Sequence, residues 1–364
     1  MNPLSAFQQE LRKKKIDSFL VANPENRRYL SGYTAHQTSI SESTGFLLIV
    51  ATGPCFLLTD SRFQLQALHD CPDFELVIYK KGLLPSLRKI VTALPLRNLA
   101  FESDYFLHSQ ALTLQKAFAS ESFSVLPTEN FVHQFRLQKS QADLEKIKKS
   151  VALNETVFNT IYPQLAPGLS EISVALRIEA MMRELGAERP SFETIVASGP
   201  NGALPHATPG SRRIQANEPI VIDMGLVLDG LCSDMTRTIV LGTPDTFTKK
   251  IFSLVRQAQL QAVRKLAPGA ICADVDRAAR SIIKNGGYGH AFGHGLGHGV
   301  GYAVHEAPSL NPRCKKKLLP GMVVTIEPGI YLPEWGGVRL ENMYAITSEG
   351  SELLNNDTTF LDLI

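Results

Sequence analysis

Four carboxylates and one histidine in the C-terminal part of the chain have the residue types of a metal site. They are Asp223, Asp234, His298, Glu327 and Glu341, and each carboxylate stands in an otherwise apolar or β-branched run. A buried carboxylate is costly unless it is paired or bound to a metal, and carboxylates that converge raise each other's pKa. Two divalent cations would balance four negative charges, with an imidazole as the fifth ligand. The residues therefore predict a dinuclear metal site and metal-assisted hydrolysis.

The four carboxylates fall in two pairs, and each pair is predicted to flank the turn of a β-hairpin. Asp223 and Asp234 lie on either side of Asp229-Gly230, a strong two-residue turn signal, so we expect them opposite or diagonal across the strands. Glu327 and Glu341 flank a second turn in the same way. Two alternatives stay open, namely solvent-facing aspartates in the first hairpin and surface glutamates in an ion pair in the second.

The segment AFGHGLGHGVGYAVHEAP places His294, His298 and His305 among closely spaced glycines. The glycines argue against a helix and for a close approach of the backbone to its neighbours. His294 and His298 would face one side of an extended strand, whereas His305 has the opposite parity and reaches that side only if the chain bends. A phosphate-binding loop is disfavoured because the segment lacks the GK[ST] ending. A satisfied core or surface histidine is the alternative for any one of the three.

Length and composition indicate a globular protein of two domains. The chain has 364 residues, 44% of them hydrophobic and 20% charged, and its formal net charge of +2 argues against a nucleic-acid surface. The five cysteines are scattered and odd in number, which favours reduced thiols and a cytoplasmic location. The N-terminal residues lack the apolar core of a signal peptide, and no apolar run approaches membrane-spanning length, so we expect no membrane association.

Residues 1–126 and 127–364 are predicted to form separate domains. The first alternates apolar strand runs such as GFLLIVA and CFLLTD with amphipathic helices such as LPSLRKIVTAL, the pattern of an α/β domain. The second begins with a helix capped by Ser140 and contains a repeat, because LAPG, a helix and a closing glycine occur twice at an offset of 101 residues. Pseudo-twofold packing of the two halves would bring the two carboxylate pairs face to face.

Taken together, these ligands and motifs resemble the pita-bread metallopeptidases, the family of Xaa-Pro aminopeptidases and Xaa-Pro dipeptidases (prolidases). The resemblance rests on VIDMG, SDMTRT, HGLGHGVG, IEPGIY and GVRLEN in the second domain, and on NRRYLSGYT and LLTDSRF in the first. It implies a creatinase-type α/β N-terminal domain and an α+β C-terminal pita-bread domain with an internal pseudo-twofold repeat. It also implies hydrolysis of the bond between an N-terminal residue and a following proline. Asn342 departs from the commoner GVRxED form, but it is not one of the ligands.

The resemblance implies a metal-binding role for five residues and two divalent ions, which are most often manganese in this family. Cobalt, zinc and iron are alternatives for the same carboxylate-rich set. Asp234 and Glu341 would bridge both ions. The full implied set is Asp223, Asp234, His298, Glu327 and Glu341.

Four other residues take substrate-related roles in the same comparison. His206 and His305 would lie near the scissile carbonyl, and Glu327 would also carry a proton to the leaving proline nitrogen. His294 would border the proline pocket, and Arg339 would orient substrate or a ligand carboxylate. We expect small peptides with proline at the second position as substrates, and a homodimer as the assembly.

Two other functions on the same fold remain as alternatives. One is a metal-free, creatinase-like amidinohydrolase, and the other is a non-catalytic binding module. The complete set of five ligands disfavours both. The sequence does not distinguish a dipeptidase from an aminopeptidase.

Overall fold

The computed structural model describes residues 2–118 and 122–356 of the chain, which divides into two compact units between Arg136 and Leu137. The division falls ten residues after the expected one at 126/127. The physical reason is the apolar sequence of this stretch, because Val132 is buried in the first unit's core and Phe131 and Phe135 pack against that core.

The first unit is a mixed β-sheet with helices, as the alternating apolar runs predict. Its six strands lie in the order β4-β3-β2-β1-β5-β6; β2 is antiparallel to both β1 and β3, and the other pairs are parallel. The helices are α1 (Pro3–Lys13), α2 (Pro24–Ser31), α3 (Gln64–Asp70), α4 (Leu83–Ala93), α5 (His108–Phe118) and α6 (His133–Arg136), and the strands are β1 (Ser18–Val21), β2 (Phe46–Val50), β3 (Phe56–Thr59), β4 (Glu75–Ile78), β5 (Asn98–Glu102) and β6 (Ser124–Thr128).

In the part of the second unit that the structure describes, there are four long helices and short strands that pair in antiparallel fashion. Its helices are α7 (Gln141–Ile161), α8 (Glu171–Glu184), α9 (Thr246–Val263) and α10 (Cys272–Asn285). Its strands are β7 (Arg189–Pro190), β8 (Ile195–Ser198), β9 (Pro219–Met224), β10 (Leu226–Leu228), β11 (Leu231–Cys232), β12 (Met235–Val240), β13 (Gly297–Gly299), β14 (Glu306–Leu310), β15 (Val323–Ile326), β16 (Gly329–Leu332), β17 (Gly336–Arg339), β18 (Asn342–Ile346) and β19 (Ser351–Leu353).

The predicted internal repeat is present as two similar halves of this unit. Helices α8 and α10 begin 101 residues apart and end 101 residues apart, and each follows one of the two LAPG turns. The first half pairs α7 and α8 with the sheet β12-β9-β8, and the second pairs α9 and α10 with the sheet β14-β13-β15-β18-β19. The pita-bread architecture expected from the sequence is therefore confirmed.

Local signals in the sequence account for several of these elements. Ser140 and Asp143 form a reciprocal capping box at the start of α7, which satisfies backbone N–H groups that the first turn leaves unpaired. Each half has its own apolar core between helices and sheet, and a third cluster of buried residues, including Val151 and Met343, joins the halves. Across the described residues, no helix combines the length and apolarity that a bilayer crossing needs.

Candidate active site

The first carboxylate pair lies at the end of the β9–β12 ladder. Asp223 pairs with Thr236 and Met224 with Met235, so Asp234, one residue before β12, lies diagonally across from Asp223. The Asp229-Gly230 turn has the positive φ angles, 51° and 82°, of a tight two-residue hairpin. The first predicted hairpin is confirmed, and it points both aspartates into one cavity.

The second carboxylate pair lies at the equivalent place on β15 and β18. Ile326 pairs with Asn342, and continuing that register by one residue sets Glu327 opposite Glu341. The hydroxyl of Thr236 donates a hydrogen bond of 2.7 Å to Glu341 Oε2, which ties the second pair to the first hairpin. The two halves therefore meet at their carboxylates, as pseudo-twofold packing requires.

His298 stands on β13 between the two pairs. Its Nε2 is 3.3 Å from Glu327 Oε1 and 3.5 Å from Asp234 Oδ2. Its Nδ1 is 3.0 Å from the Gly299 carbonyl oxygen, a contact that places the proton on Nδ1 and leaves the Nε2 lone pair facing the carboxylates. Glycine is required on both sides, because a Cβ at 297 or 299 would overlap a backbone carbonyl, that of Thr325 or of Ala307.

Burial and mutual repulsion shift the ionisation of the clustered side chains. Burial and then the Glu341 charge raise the pKa values of Asp234 and Glu327 well above the usual range, and burial and then the Asp223 charge raise that of Glu341 to about 8. Burial, followed by the neighbouring His305, lowers the pKa of His298 to about 4, so its imidazole is neutral at pH 7.

Two buried oxygens of the cluster accept no hydrogen bond from the described residues. They are Asp223 Oδ1 and Glu341 Oε1. In addition, ligand atoms of Asp234, His298 and Glu341 all lie within 4.8 Å of one another. Carboxylate oxygens with one neutral imidazole form a donor set that suits divalent cations. The residues present therefore fit the metal that the charge argument predicts.

Arg339 is the cation that contacts the cluster most directly, and its guanidinium is 3% exposed. It donates to Asp223 Oδ2 at 2.7 Å, to the Tyr331 hydroxyl at 3.0 Å and to the Pro205 carbonyl at 3.2 Å. Burial opposes its charge, but the nearby Tyr331 and Asp223 outweigh that cost and raise its pKa. Arg339 thus holds the Asp223 carboxylate and anchors the backbone just before His206.

The other predicted histidines lie around the same cluster. The His305 ring centre is 4.4 Å from that of His298, because β13 and β14 are antiparallel neighbours and the loop between them turns the chain back. Because His305 has the opposite strand parity to His298, it reaches the same side only if the chain bends, and this loop supplies the bend. His294 Nε2 is 2.8 Å from the Tyr331 hydroxyl, and burial lowers the His294 pKa to about 4.

All nine residues selected from the sequence line one cavity of about 580 Å³. Apolar and small side chains complete its wall, among them Phe192, Ile195 and Ala207, with the exposed carboxylate of Glu193 beside them. The nine are His206, Asp223, Asp234, His294, His298, His305, Glu327, Arg339 and Glu341.

Buried carboxylates on the two repeat-related helices hold histidine-bearing segments, and sequence reasoning missed them. Glu171, at the start of α8, accepts hydrogen bonds from Ser198 N at 2.7 Å and from Gly210 N at 3.3 Å. It therefore binds both ends of the segment 198–210, which carries His206. Asp276 on α10 accepts from Leu296 N at 3.2 Å, next to His294. An acidic residue on the apolar face of an amphipathic helix is the sequence signal that could have revealed Asp276.

The two-domain fold and a cavity that holds a cluster of four carboxylates beside His298 define a metal-dependent hydrolase. Residues 145–348 match Metallopeptidase family M24, and residues 3–138 match the Creatinase/Prolidase N-terminal domain. The chain belongs to metallopeptidase family M24. It is therefore an enzyme of the hydrolase class, and the family implies divalent metal ions.

Solved structures of similar proteins cover almost the whole chain. An X-Pro aminopeptidase from Thermotoga maritima MSB8 has a TM-score of 0.91 at 33% identity, with 99% of each chain covered. An Xaa-Pro dipeptidase from Bacillus anthracis has a TM-score of 0.89 at 34% identity, with 98% of each chain covered. An Xaa-Pro dipeptidase of Pyrococcus horikoshii is 34% identical and covers 94% of this chain and 93% of its own length. The match favours the metallopeptidase interpretation over both alternatives.

Proposed function

We propose that this protein hydrolyses the peptide bond between an N-terminal residue and a following proline. The observation that carries the proposal is the convergence of five metal-ligand side chains and three further histidines on one cavity. The similarity to proteins described as Xaa-Pro dipeptidases and X-Pro aminopeptidases supports this substrate class.

Five side chains would hold two divalent ions, with Asp234 and Glu341 shared between them. When bound, such ions supply Lewis-acid activation of water and of the substrate carbonyl. Manganese is the proposed metal, because oxygen ligands predominate and a single imidazole completes the set. The five side chains are Asp223, Asp234, His298, Glu327 and Glu341.

His206 and His305 are proposed to stabilise negative charge on the carbonyl oxygen. Burial lowers the pKa of His305, so its ring is neutral at pH 7 and offers one N–H donor. Both rings line the cavity beside the carboxylate cluster. Donors fixed in advance at the position of developing charge lower the barrier, because no reorganisation is needed during the reaction.

Glu327 is proposed to carry a proton to the leaving proline nitrogen. A tertiary amide nitrogen has no hydrogen of its own and must gain one to depart as an amine. Glu327 lines the cavity, and its Oε1 accepts from the Thr325 hydroxyl at 3.3 Å and lies 3.3 Å from His298 Nε2, so two neighbours orient this carboxylate.

Recognition of proline is proposed to rest on shape and apolar contact rather than on hydrogen bonds. We propose that His294 borders the pocket for the proline ring. The Tyr331 hydroxyl, 2.8 Å from His294 Nε2, fixes the orientation of the imidazole. Arg339, which bonds the same hydroxyl, is proposed to orient Asp223 rather than to meet substrate directly.

A substrate-length panel with metal analysis on the same sample tests this function. The protein is loaded with manganese, its metal content is measured, and Xaa-Pro dipeptides are compared with Xaa-Pro-Yaa-Yaa peptides and with the alanine analogues of both. We expect cleavage only before proline. A fully loaded sample that cleaves none of the proline peptides would overturn the proposal, whereas turnover of creatine without metal would support the amidinohydrolase.

Assembly and location are proposed on the same basis. We propose a homodimer, which light scattering of the purified protein tests directly. We also propose a cytoplasmic location, consistent with five free cysteines. Fractionation of cells that express the tagged protein would contradict this if the protein were found in the medium or in a membrane fraction.

A further inference from the structure

The loop between β13 and β14, residues 300–305, brings His305 to the cavity, and we refer to it as the His305 loop. It closes on itself, because Gly301 N donates to the Ala303 carbonyl at 3.0 Å and Ala303 N donates to Glu306 Oε1 at 3.0 Å. The Glu306 side chain is therefore the anchor of the loop, one residue after His305.

Glu306 is in turn held by a buried ammonium group. Lys139 Nζ is 2.9 Å from Glu306 Oε2, and the two side chains are 3% and 0% exposed. The backbone of Lys139 is fixed as well, because its N–H donates to the Gly321 carbonyl at 2.7 Å just before the cap of α7. Lys139 thus connects a rigid helix start to the His305 loop.

The loop packs directly on this ion pair. A Cβ at Gly301 would be 2.6 Å from Glu306 Oε2 and 2.7 Å from Lys139 Cε, so a larger residue there would displace the ends of these two side chains. The backbone of the loop is therefore packed directly against the ion pair.

Stability alone is a poor reason for such a pair. Removing two charges from water costs about as much as their attraction returns, and apolar replacements of buried ion pairs are often neutral or stabilising. What a buried pair with fixed hydrogen bonds does supply is a single geometry. The residue whose geometry depends on it here is His305.

We propose that the Lys139–Glu306 ion pair is a positioning device for His305, and that it sets the rate of the hydrolytic step without touching substrate. This inference rests on the proposed function for the role of His305. Lys139 is not among the residues that line the cavity. Glu306 does line it, but its carboxylate is occupied by Lys139 and by the backbone N–H of Ala303. Neither residue is therefore a catalytic residue in its own right.

The test is a double-mutant cycle between Lys139→Met and His305→Ala in the manganese-loaded full chain. We expect Lys139→Met to lower kcat on an Xaa-Pro substrate by on the order of 100-fold, with little change in KM or metal content, because small misplacements of a catalytic group have effects of this size. In the His305→Ala background the same substitution should cost less than about twofold.

A second variant and a matched control separate positioning from general damage. Lys139→Met/Glu306→Gln removes both charges but keeps an oxygen for Ala303 N, so we expect it to recover most of the lost kcat. Lys148 and Glu352 form a pair at 2.8 Å whose side chains are 34% and 47% exposed. Lys148→Met removes that exposed pair and should leave kcat unchanged.

An activity-independent readout keeps this inference separate from the proposed function. With ¹³C-labelled histidine, the His305 ring signal, assigned from its loss in His305→Ala, should shift or broaden in Lys139→Met and return in the double variant. An unchanged His305 signal, or equal kcat losses with and without His305, would overturn the positioning role. A wild type inactive on every proline peptide would refute the function alone, since the ring signal still tests positioning.

Discussion

Replacing Glu341 with Gln is expected to stabilise the protein when a chelator removes metal ions. Glu341 is 2% exposed, and burial together with the Asp223 charge raises its pKa to about 8, against an ordinary value of 4.5. The folded carboxyl therefore keeps a proton that the unfolded one releases. Because the folded pKa is the higher one, the contribution of Glu341 to the stability of the chelated protein is fully present below about pH 4.5 and is lost as pH rises through about 8.

The size of this effect follows from the two pKa values. At pH 7 the unfolded carboxyl is fully ionised and the folded one still protonated, which costs the wild type about 3 kcal/mol. Glutamine carries no such cost, and its carbonyl oxygen can still accept the Thr236 hydroxyl hydrogen bond. For a domain of this size, 1 kcal/mol corresponds to about 2–4 °C in Tm. The variant should therefore melt several degrees above the wild type in chelator.

Thermal unfolding with EDTA at about pH 5, 7 and 8.5, followed by circular dichroism, measures this difference. The advantage of Glu341→Gln should grow with pH. With excess MnCl₂ the order should reverse, because free metal at about 1,000 times its Kd adds about 4.1 kcal/mol to the wild type, more than the variant's advantage in chelator, and the variant lacks one ligand. The exposed Glu352→Gln is the control and should follow the wild type throughout.

Two results would refute the reasoning about Glu341. The first is a variant that melts below the wild type at high pH in EDTA, which would mean that the carboxylates do not repel one another. The second is an equal gain from manganese in both proteins, which would mean that Glu341 does not bind metal.

Three further predictions concern other residues. Asp234→Asn should abolish turnover of Xaa-Pro peptides at saturating manganese while the chelated protein keeps its circular dichroism spectrum; retained turnover would disprove a bridging role for Asp234. Arg339→Lys keeps the charge but cannot maintain the contacts to both Asp223 and Tyr331, so kcat/KM should fall at least about tenfold, and an unchanged value would show that these contacts are dispensable. In the first unit, burial raises the pKa of Glu102 to about 7 from an ordinary 4.5, so wild-type stability should fall as pH rises through that interval. The free energy of unfolding, measured in urea across this pH range, should decline by about 3 kcal/mol less in Glu102→Gln than in the wild type. Parallel plots of that free energy against pH for the two proteins would contradict the raised pKa of Glu102.

Much of the fold and of the candidate site could be predicted because the relevant signals are local. Asp229 and Gly230 both have positive φ, and an Asp-Gly pair between two apolar strand runs is a strong local signal for a hairpin. The cap at Ser140 marks the start of α7 by the same kind of short-range bonding. The repeat then relates the two carboxylate pairs without any knowledge of the packing.

Other features could not be predicted because they depend on contacts between distant residues. The position of the first unit's end depends on Phe131 and Phe135 packing against core residues such as Phe7, which lies more than a hundred residues earlier in the chain. In the sequence, Lys139 is one of many lysines and stands just before a helix. It becomes part of a buried ion pair only because the fold brings Glu306, 167 residues away in the chain, next to it.

By itself the sequence selected side chains that converge on one cavity, because Asp and Glu in apolar strands are rare and are costly to bury unless they are paired or bound to metal. Only the tertiary structure decided how these side chains are held. The antiparallel return of β14 turns His305 toward His298, Arg339 pairs with Asp223, and Lys139 fixes the His305 loop. Each of these depends on where two remote segments meet, and distances between segments follow from the packing of whole sheets and helices rather than from local residue preference.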